Sequence, residues 1–175
     1  ELAHPMAGLA GLTAEILATL LEAGGPRPRK VLDVAAGHGM FGIALARRHP
    51  DAEVVALDWS NVLTVAAENA HAAGVADRFR TLPGSAFEDD LGTGYDIVLP
   101  VSTNVALACA EQRDRIPARL PVPPIATLRR ANNKSSALAL AKKSGVPIPV
   151  TYAPEDEEEL EEVLSEYGDV RVEES

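Results

Sequence analysis

Four short apolar blocks punctuate the first hundred residues, each of strand length rather than helix length. They predict strands over Lys30–Ala35, Glu53–Asp58, Phe79–Leu82 and Asp96–Leu99. Between them, apolar residues recur at helical spacing. Thr13–Ala23 predicts an amphipathic helix after a flexible start, and Gly24-Gly25-Pro26 ends it. Met40–Arg48 predicts a second helix. Ser60–Ala73 predicts a third, with Ser60 as N-cap and Gly74 as its stop. This alternation predicts an α/β fold: a Rossmann-like, doubly wound, mostly parallel sheet with helices on both faces. About five or six strands are expected, the sheet resuming at Val146–Thr151 and Asp169–Val172.

The connection after the first strand carries the candidate chemistry. Gly37, Gly39 and Gly42 form G-x-G-x-x-G within a strand–turn–helix context. The first glycine permits a tight turn, the second lets backbone approach a ligand, and the third lets helix pack closely on strand. Asp58 ends the second strand 21 residues after Gly37. That is close to the roughly 20-residue offset of a carboxylate that holds ribose hydroxyls. Two ligand classes compete for this turn. A nicotinamide dinucleotide needs a free helix N-terminus for its pyrophosphate. S-adenosylmethionine has no phosphate and carries an ammonium and a sulfonium. Asp33, inside the first strand, places a carboxylate near the turn, which suits a cation and repels a pyrophosphate. The alternative role for Asp33 is to cap local backbone amides.

Residues 1 to about 100 resemble the class I S-adenosylmethionine-dependent methyltransferases, most of all small-molecule O-methyltransferases. The resemblance rests on Val31 to Gly42, Val54 to Ser60 (VVALDWS), Thr81 to Phe87 (TLPGSAF) and Tyr95 to Pro100 (YDIVLP). It implies that Gly37 and Gly39 line the methionine moiety, that Asp58 binds ribose and that Trp59 flanks adenine. Ser85, Ala86 and Phe87 would lie at the adenine rim. Asp33, Ala35 and His38 complete the cofactor-binding set that it implies.

After Pro100 the character changes and proline becomes dense. An O-methyltransferase would continue with a helix, a fifth strand and a catalytic histidine, yet no histidine follows His71. Residues 96–100 and 121–151 resemble instead the entry region of ATP-grasp enzymes. Lys134 and Gly145, Val146, Pro147, Pro149 and Thr151 match its lysine and its "GVPxPxT" run. The glycine-rich loop and acidic magnesium ligands of that family are not among these residues, so Lys134 reads as a surface helix residue. The two resemblances together predict a chimera, engineered or selected for folding. It would be a single Rossmann-like domain over 1–175 with a seam near 96–104.

Composition narrows the partners. Apolar residues make up 46% of the 175 but aromatics only 4%, so Ala, Val and Leu must build the core. No apolar run reaches transmembrane length and no signal peptide is visible, which predicts a cytoplasmic chain. Cys109 stands alone among apolar neighbours and reads as a buried thiol. Residues 151–175 hold eleven acids and one base, which accounts for the net charge of −10. That tail argues against nucleic acid and anionic membrane as partners. Its apolar residues Leu160, Val163, Leu164 and Tyr167 fall at helical spacing, as on an amphipathic helix with a solvated acidic face. An open sheet edge would also permit a homodimer by strand exchange.

Three functional readings follow. The first is a folded chimera with a weak residual S-adenosylmethionine site, no catalytic residue, no metal and no turnover. The second is an active S-adenosylmethionine-dependent O-methyltransferase acting on a small molecule. The third is an NAD-binding Rossmann protein. His38 as a catalytic histidine, and Asp89 and Asp90 as anything beyond turn residues, are the lesser readings.

Overall fold

A computed structural model describes residues 3–89, 91–152 and 156–167. In the first unit, Glu1–Pro124, the elements are α1 (Ala3–Ala23), β1 (Lys30–Val34), α2 (Met40–Arg48), β2 (Glu53–Asp58), α3 (Ser60–Ala72), β3 (Phe79–Pro83), β4 (Ile97–Pro100) and α4 (Thr103–Glu111). The strands form one parallel sheet in the order β3-β2-β1-β4. Val31 of β1 stands opposite Val54 on one side and Ile97 on the other. β1 is therefore central, and its residues from Val31 to Val34 are all buried. Such a strand needs apolar side chains on both faces, which explains why it reads as a run rather than an alternation.

The two faces carry separate cores. On one, Val31, Val54, Ala56 and Phe79 pack against α1, α2 and α3. Those helices present mostly alanine, including Ala14 and Ala18, Ala44 and Ala46, and Ala66 and Ala70. Small side chains let helix axes come close to the sheet, so a low-aromatic composition still fills the space. On the other face, Leu32, Val34, Val55, Leu57 and Val98 meet Val105 of α4 and Leu120. Each such Val or Leu contributes about 1.5–3 kcal/mol by leaving water. Helices on both sides of a parallel sheet make the fold Rossmann-like and doubly wound.

The chain past Pro100 continues this pattern. α4 crosses back over the sheet, its N-cap Ser102 accepting from the Val105 N–H. The chain then runs beside β4 at a single parallel bridge, Ile97 with Arg119. There the Arg119 N–H donates to Asp96 O at 2.9 Å and the Val98 N–H to Arg119 O at 3.0 Å. The Arg119 side chain donates to Leu21 O at 2.7 Å, closing the last turn of α1. Residues 96–104, the predicted seam, run from β4 through Ser102 into α4.

Several expectations are corrected. α1 begins at Ala3, ten residues before the predicted start, because the expected flexible opening is helical. Ser60 is the first helical residue of α3; the N-cap is Trp59, whose side chain makes no capping bond. Gly74 does end that helix, at φ 70°. Four strands form among the described residues, not five or six. Val146–Thr151 adds none: Pro147 and Pro149 lack donors, and Val150 is 81% exposed. The predicted strand at Asp169–Val172 lies outside the described residues.

The second unit is Ile125–Ser175. It holds α5 (Ile125–Asn132), α6 (Lys134–Lys143) and α7 (Glu157–Tyr167). Asn133 caps α6 by accepting from the Ser136 N–H at 2.8 Å, and Asp156 heads α7 by accepting from the Glu159 N–H at 2.9 Å. Leu160, Val163 and Leu164 are half-buried while Glu157, Glu161 and Glu162 are exposed, as an amphipathic helix with a solvated acidic face requires. Lys134 is an exposed first residue of α6. No described residue of this unit is buried. No helix among the described residues is long and apolar enough to cross a membrane.

Candidate functional site

The connection from β1 to α2 packs three left-handed residues into five positions: Ala35 at φ 56°, Gly37 at 57° and Gly39 at 74°. The glycines accept this backbone without strain, but Ala35 does not. Neighbours hold the turn from several sides. The Ala36 N–H donates to Leu57 O at 3.1 Å, and the Gly39 N–H to Ala36 O at 2.8 Å. Asn69 of α3 donates its side-chain amide to His38 O at 3.0 Å.

The glycines divide their labour differently from the sequence expectation. A Cβ on Gly39 would stand 2.9 Å from Phe79 Cζ and 3.1 Å from Ala66 Cβ. One on Gly42 would stand 2.7 Å from Val54 Cγ1. Both are packing glycines. At Gly37 nothing lies within 4 Å of that position, so the first glycine, not the second, leaves backbone open to a ligand.

Asp58 sits at the end of β2, half-buried. Its Oδ2 accepts from the Gly37 N–H at 2.9 Å and its Oδ1 from the Trp59 N–H at 2.7 Å. Each bond uses one of the roughly four lone-pair sites of a carboxylate, which leaves capacity for hydroxyl donors. Asp58 pairs in register with Pro83, and its carbonyl accepts from the Gly84 N–H at 3.1 Å. The segment after β3 is thereby tied to the same edge. Ser85 spends its hydroxyl on the Phe87 N–H at 3.2 Å. Asp89 accepts from the Ser85 N–H at 2.7 Å, which makes it a turn residue, as expected. Trp59 and Phe87 are 64% and 68% exposed, two large apolar rings left in solvent at this sheet edge.

Asp33 is placed elsewhere than the edge. It is fully buried in the layer beneath α2, and its Oδ2 accepts from the Gly42 N–H at 2.9 Å. Its Oδ1 has no hydrogen-bond partner. Burial pushes its carboxyl up to about 7, opposed by the Gly42 N–H and reinforced by the nearby Asp58 charge. The backbone-capping role is thus the one seen on one oxygen. Asp33 also occupies an N–H of the first turn of α2 that a pyrophosphate would use, which weighs against a dinucleotide.

Gly37, Gly39, Asp58 and the 84–87 segment converge at one edge, with Ala35 and His38 in the same turn. Asp33 lies below it. Sequence reasoning named Ala35 but not its left-handed backbone, and it missed the anchoring Asn69. No local signal marks Asn69, because its partner is 31 positions away.

Known proteins place this geometry in a family. The profile of the Methyltransferase small domain matches residues 11–101. A 3-hydroxy-5-methyl-1-naphthoate 3-O-methyltransferase of Streptomyces sahachiroi is 36% identical over 88 residues, 50% of this chain and 25% of that protein. A release factor glutamine methyltransferase of Chlorobaculum tepidum is 40% identical over 74 residues, 39% of this chain and 25% of that one. The matched part of the chain therefore spans about a quarter of these curated relatives. Among solved structures, a provisionally assigned O-methyltransferase of Nostoc punctiforme PCC 73102 superposes with a TM-score of 0.57 at 38% identity. It covers 70% of this chain and 37% of its own. Mitomycin 7-O-methyltransferase MmcR shares the fold, with a TM-score of 0.55 at 21% identity over 82% of this chain and 50% of that one. The ATP-grasp resemblance of the second part rests on its sequence motif alone. Since the profile covers more than half of the 175 residues, and with them the glycine turn, Asp58 and all four strands, the chain belongs to the Methyltransferase small domain family.

Proposed function

We propose that the first unit binds S-adenosylmethionine at the C-terminal edge of its sheet and supports methyl transfer to a hydroxyl of a small molecule. The observation that carries this reading is the Asp58 carboxylate, held by the Gly37 and Trp59 amides beside open backbone at Gly37. A carboxylate fixed from behind is oriented to accept two vicinal ribose hydroxyls. Trp59 and Phe87 supply exposed flat apolar surface on which an adenine would stack. Bound there, the donor supplies an electrophilic methyl group on a sulfonium. The chain's part is to orient the donor and exclude water. Alignment alone can lower such a barrier substantially, so a base is not obligatory.

Two of the relatives named above support a hydroxyl oxygen as acceptor, the naphthoate O-methyltransferase at 36% identity and the provisionally assigned O-methyltransferase at 38%, whereas the glutamine methyltransferase at 40% does not. They favour turnover over an inert fold. The test is transfer of labelled methyl from S-adenosylmethionine to a panel of phenols and naphthols. Product that disappears in Asp58→Ala, with that variant still folded by circular dichroism, supports the reading. No product from a chain that binds the donor confines the function to binding.

A further inference from the structure

We infer that the first unit holds a second ligand site, for a small aryl carboxylate, under the sheet face that carries α4. A cavity of about 640 Å³ lies there. Its volume falls within the roughly 300–1,000 Å³ typical of small-molecule sites. Leu32, Val34 and Val98 form its floor, and Val105, Ala108 and Cys109 of α4 form one wall. The opposite wall is the segment from Leu91 to Tyr95.

That wall is built rather than loose. The Lys30 ammonium lies 4.5 Å from the centroid of the Tyr95 ring and donates to Thr93 O at 2.7 Å. The Tyr95 hydroxyl donates to Leu91 O. Lys30 thus ties Thr93 and Tyr95 to β1, and the Tyr95 hydroxyl closes the segment back on Leu91, so this wall is preformed and a ligand need not order it. The site shares only Ala86 and Phe87 with the edge described above, and it does not depend on the methyl donor.

The lining selects the ligand class. It is apolar throughout its floor and α4 wall, which calls for a hydrocarbon body. Among the described lining residues, Arg115 alone is charged. Its guanidinium donates one N–H to Gln112 Oε1 at 2.8 Å, which orients the fork and leaves further donors. An apolar slot with one guanidinium at its mouth complements an aromatic or arylalkyl body ending in a carboxylate.

The test uses 4-phenylbutanoate and its neutral counterpart, 4-phenylbutan-1-ol, against the full chain. Cys109, the sole cysteine, reports occupancy through its rate of maleimide labelling. The acid is expected to slow labelling and to displace 8-anilinonaphthalene-1-sulfonate. Arg115→Gln should weaken the acid by about five-fold or more while leaving the alcohol unchanged. Ala108→Phe should fill the slot and block both, with circular dichroism confirming the fold. No protection of Cys109 at millimolar acid overturns the site. Equal weakening of acid and alcohol in Arg115→Gln overturns the ligand class, and unchanged binding in Ala108→Phe overturns the location.

Discussion

Replacing Asp33 with asparagine should change how stability depends on pH, and the size of the change follows from its burial. The wild-type carboxyl titrates near 3.8 when exposed in the unfolded chain and near 7 in the fold. A carboxyl raised in this way favours folding only while protonated. That contribution is complete below pH 3.8 and drains away as pH rises through about 7. A gap of about three units corresponds to about 4 kcal/mol, of which roughly 2–3 kcal/mol falls between pH 5 and pH 8. Asparagine has no proton to lose. It can still accept from the Gly42 N–H, but it leaves an amide N–H where Oδ1 had no partner. That unsatisfied donor is destabilising by about 1–3 kcal/mol at every pH, so it moves the whole curve without tilting it. Urea unfolding of wild type and Asp33→Asn at pH 5, 6.5 and 8 separates offset from tilt. The variant should gain roughly 2–3 kcal/mol on wild type across that window. Parallel curves would show that Asp33 does not titrate there, and that the buried carboxylate has a partner which this account omits.

The turn offers further tests. Ala35→Gly removes a left-handed alanine and should stabilise the fold by about 1 kcal/mol, read as a higher urea midpoint; a lower midpoint would mean that the methyl packs well enough to outweigh its strain. Gly39→Ala forces a Cβ to 2.9 Å from Phe79 as well as straining a φ of 74°, and should lose more than about 2 kcal/mol. Gly37→Ala meets no neighbour and should lose only about 1 kcal/mol, yet it should weaken donor binding, since its methyl enters the open backbone surface. Equal stability losses at Gly37 and Gly39 would refute the division between ligand-facing and packing glycines.

How far the chain could be read depended on the range of each signal. α2 was legible to its ends because its apolar residues keep helical spacing from Met40 to Arg48. The strands were legible because β1 and β2 are buried on both faces and show it as apolar runs. Asp58 was legible by its spacing from Gly37, and the two are indeed hydrogen-bonded. What depends on distant neighbours was not legible. The packing role of Gly39 is set by Ala66 and Phe79, 27 and 40 positions on, and the place of Asp33 by how α2 lies over β1. The second unit misled for a different reason. Val146–Thr151 has strand-like composition, but its alternate prolines remove the donors that a ladder needs. The Arg119 bridge, in contrast, is a single residue with no apolar block around it to announce a strand.

The central claim is that Asp58, braced by Gly37 and Trp59, holds the ribose of a methyl donor. Calorimetric titration of the full chain with S-adenosylhomocysteine, and in parallel with NAD, tests it most directly. Wild type should bind S-adenosylhomocysteine and not NAD. Asp58→Asn, which retains an acceptor for the turn but not the charge, should bind about ten-fold or more weakly, as expected from about 1.5–3 kcal/mol for bonds to a charged acceptor. Equal affinity in wild type and Asp58→Asn, or binding of NAD alone, would contradict it.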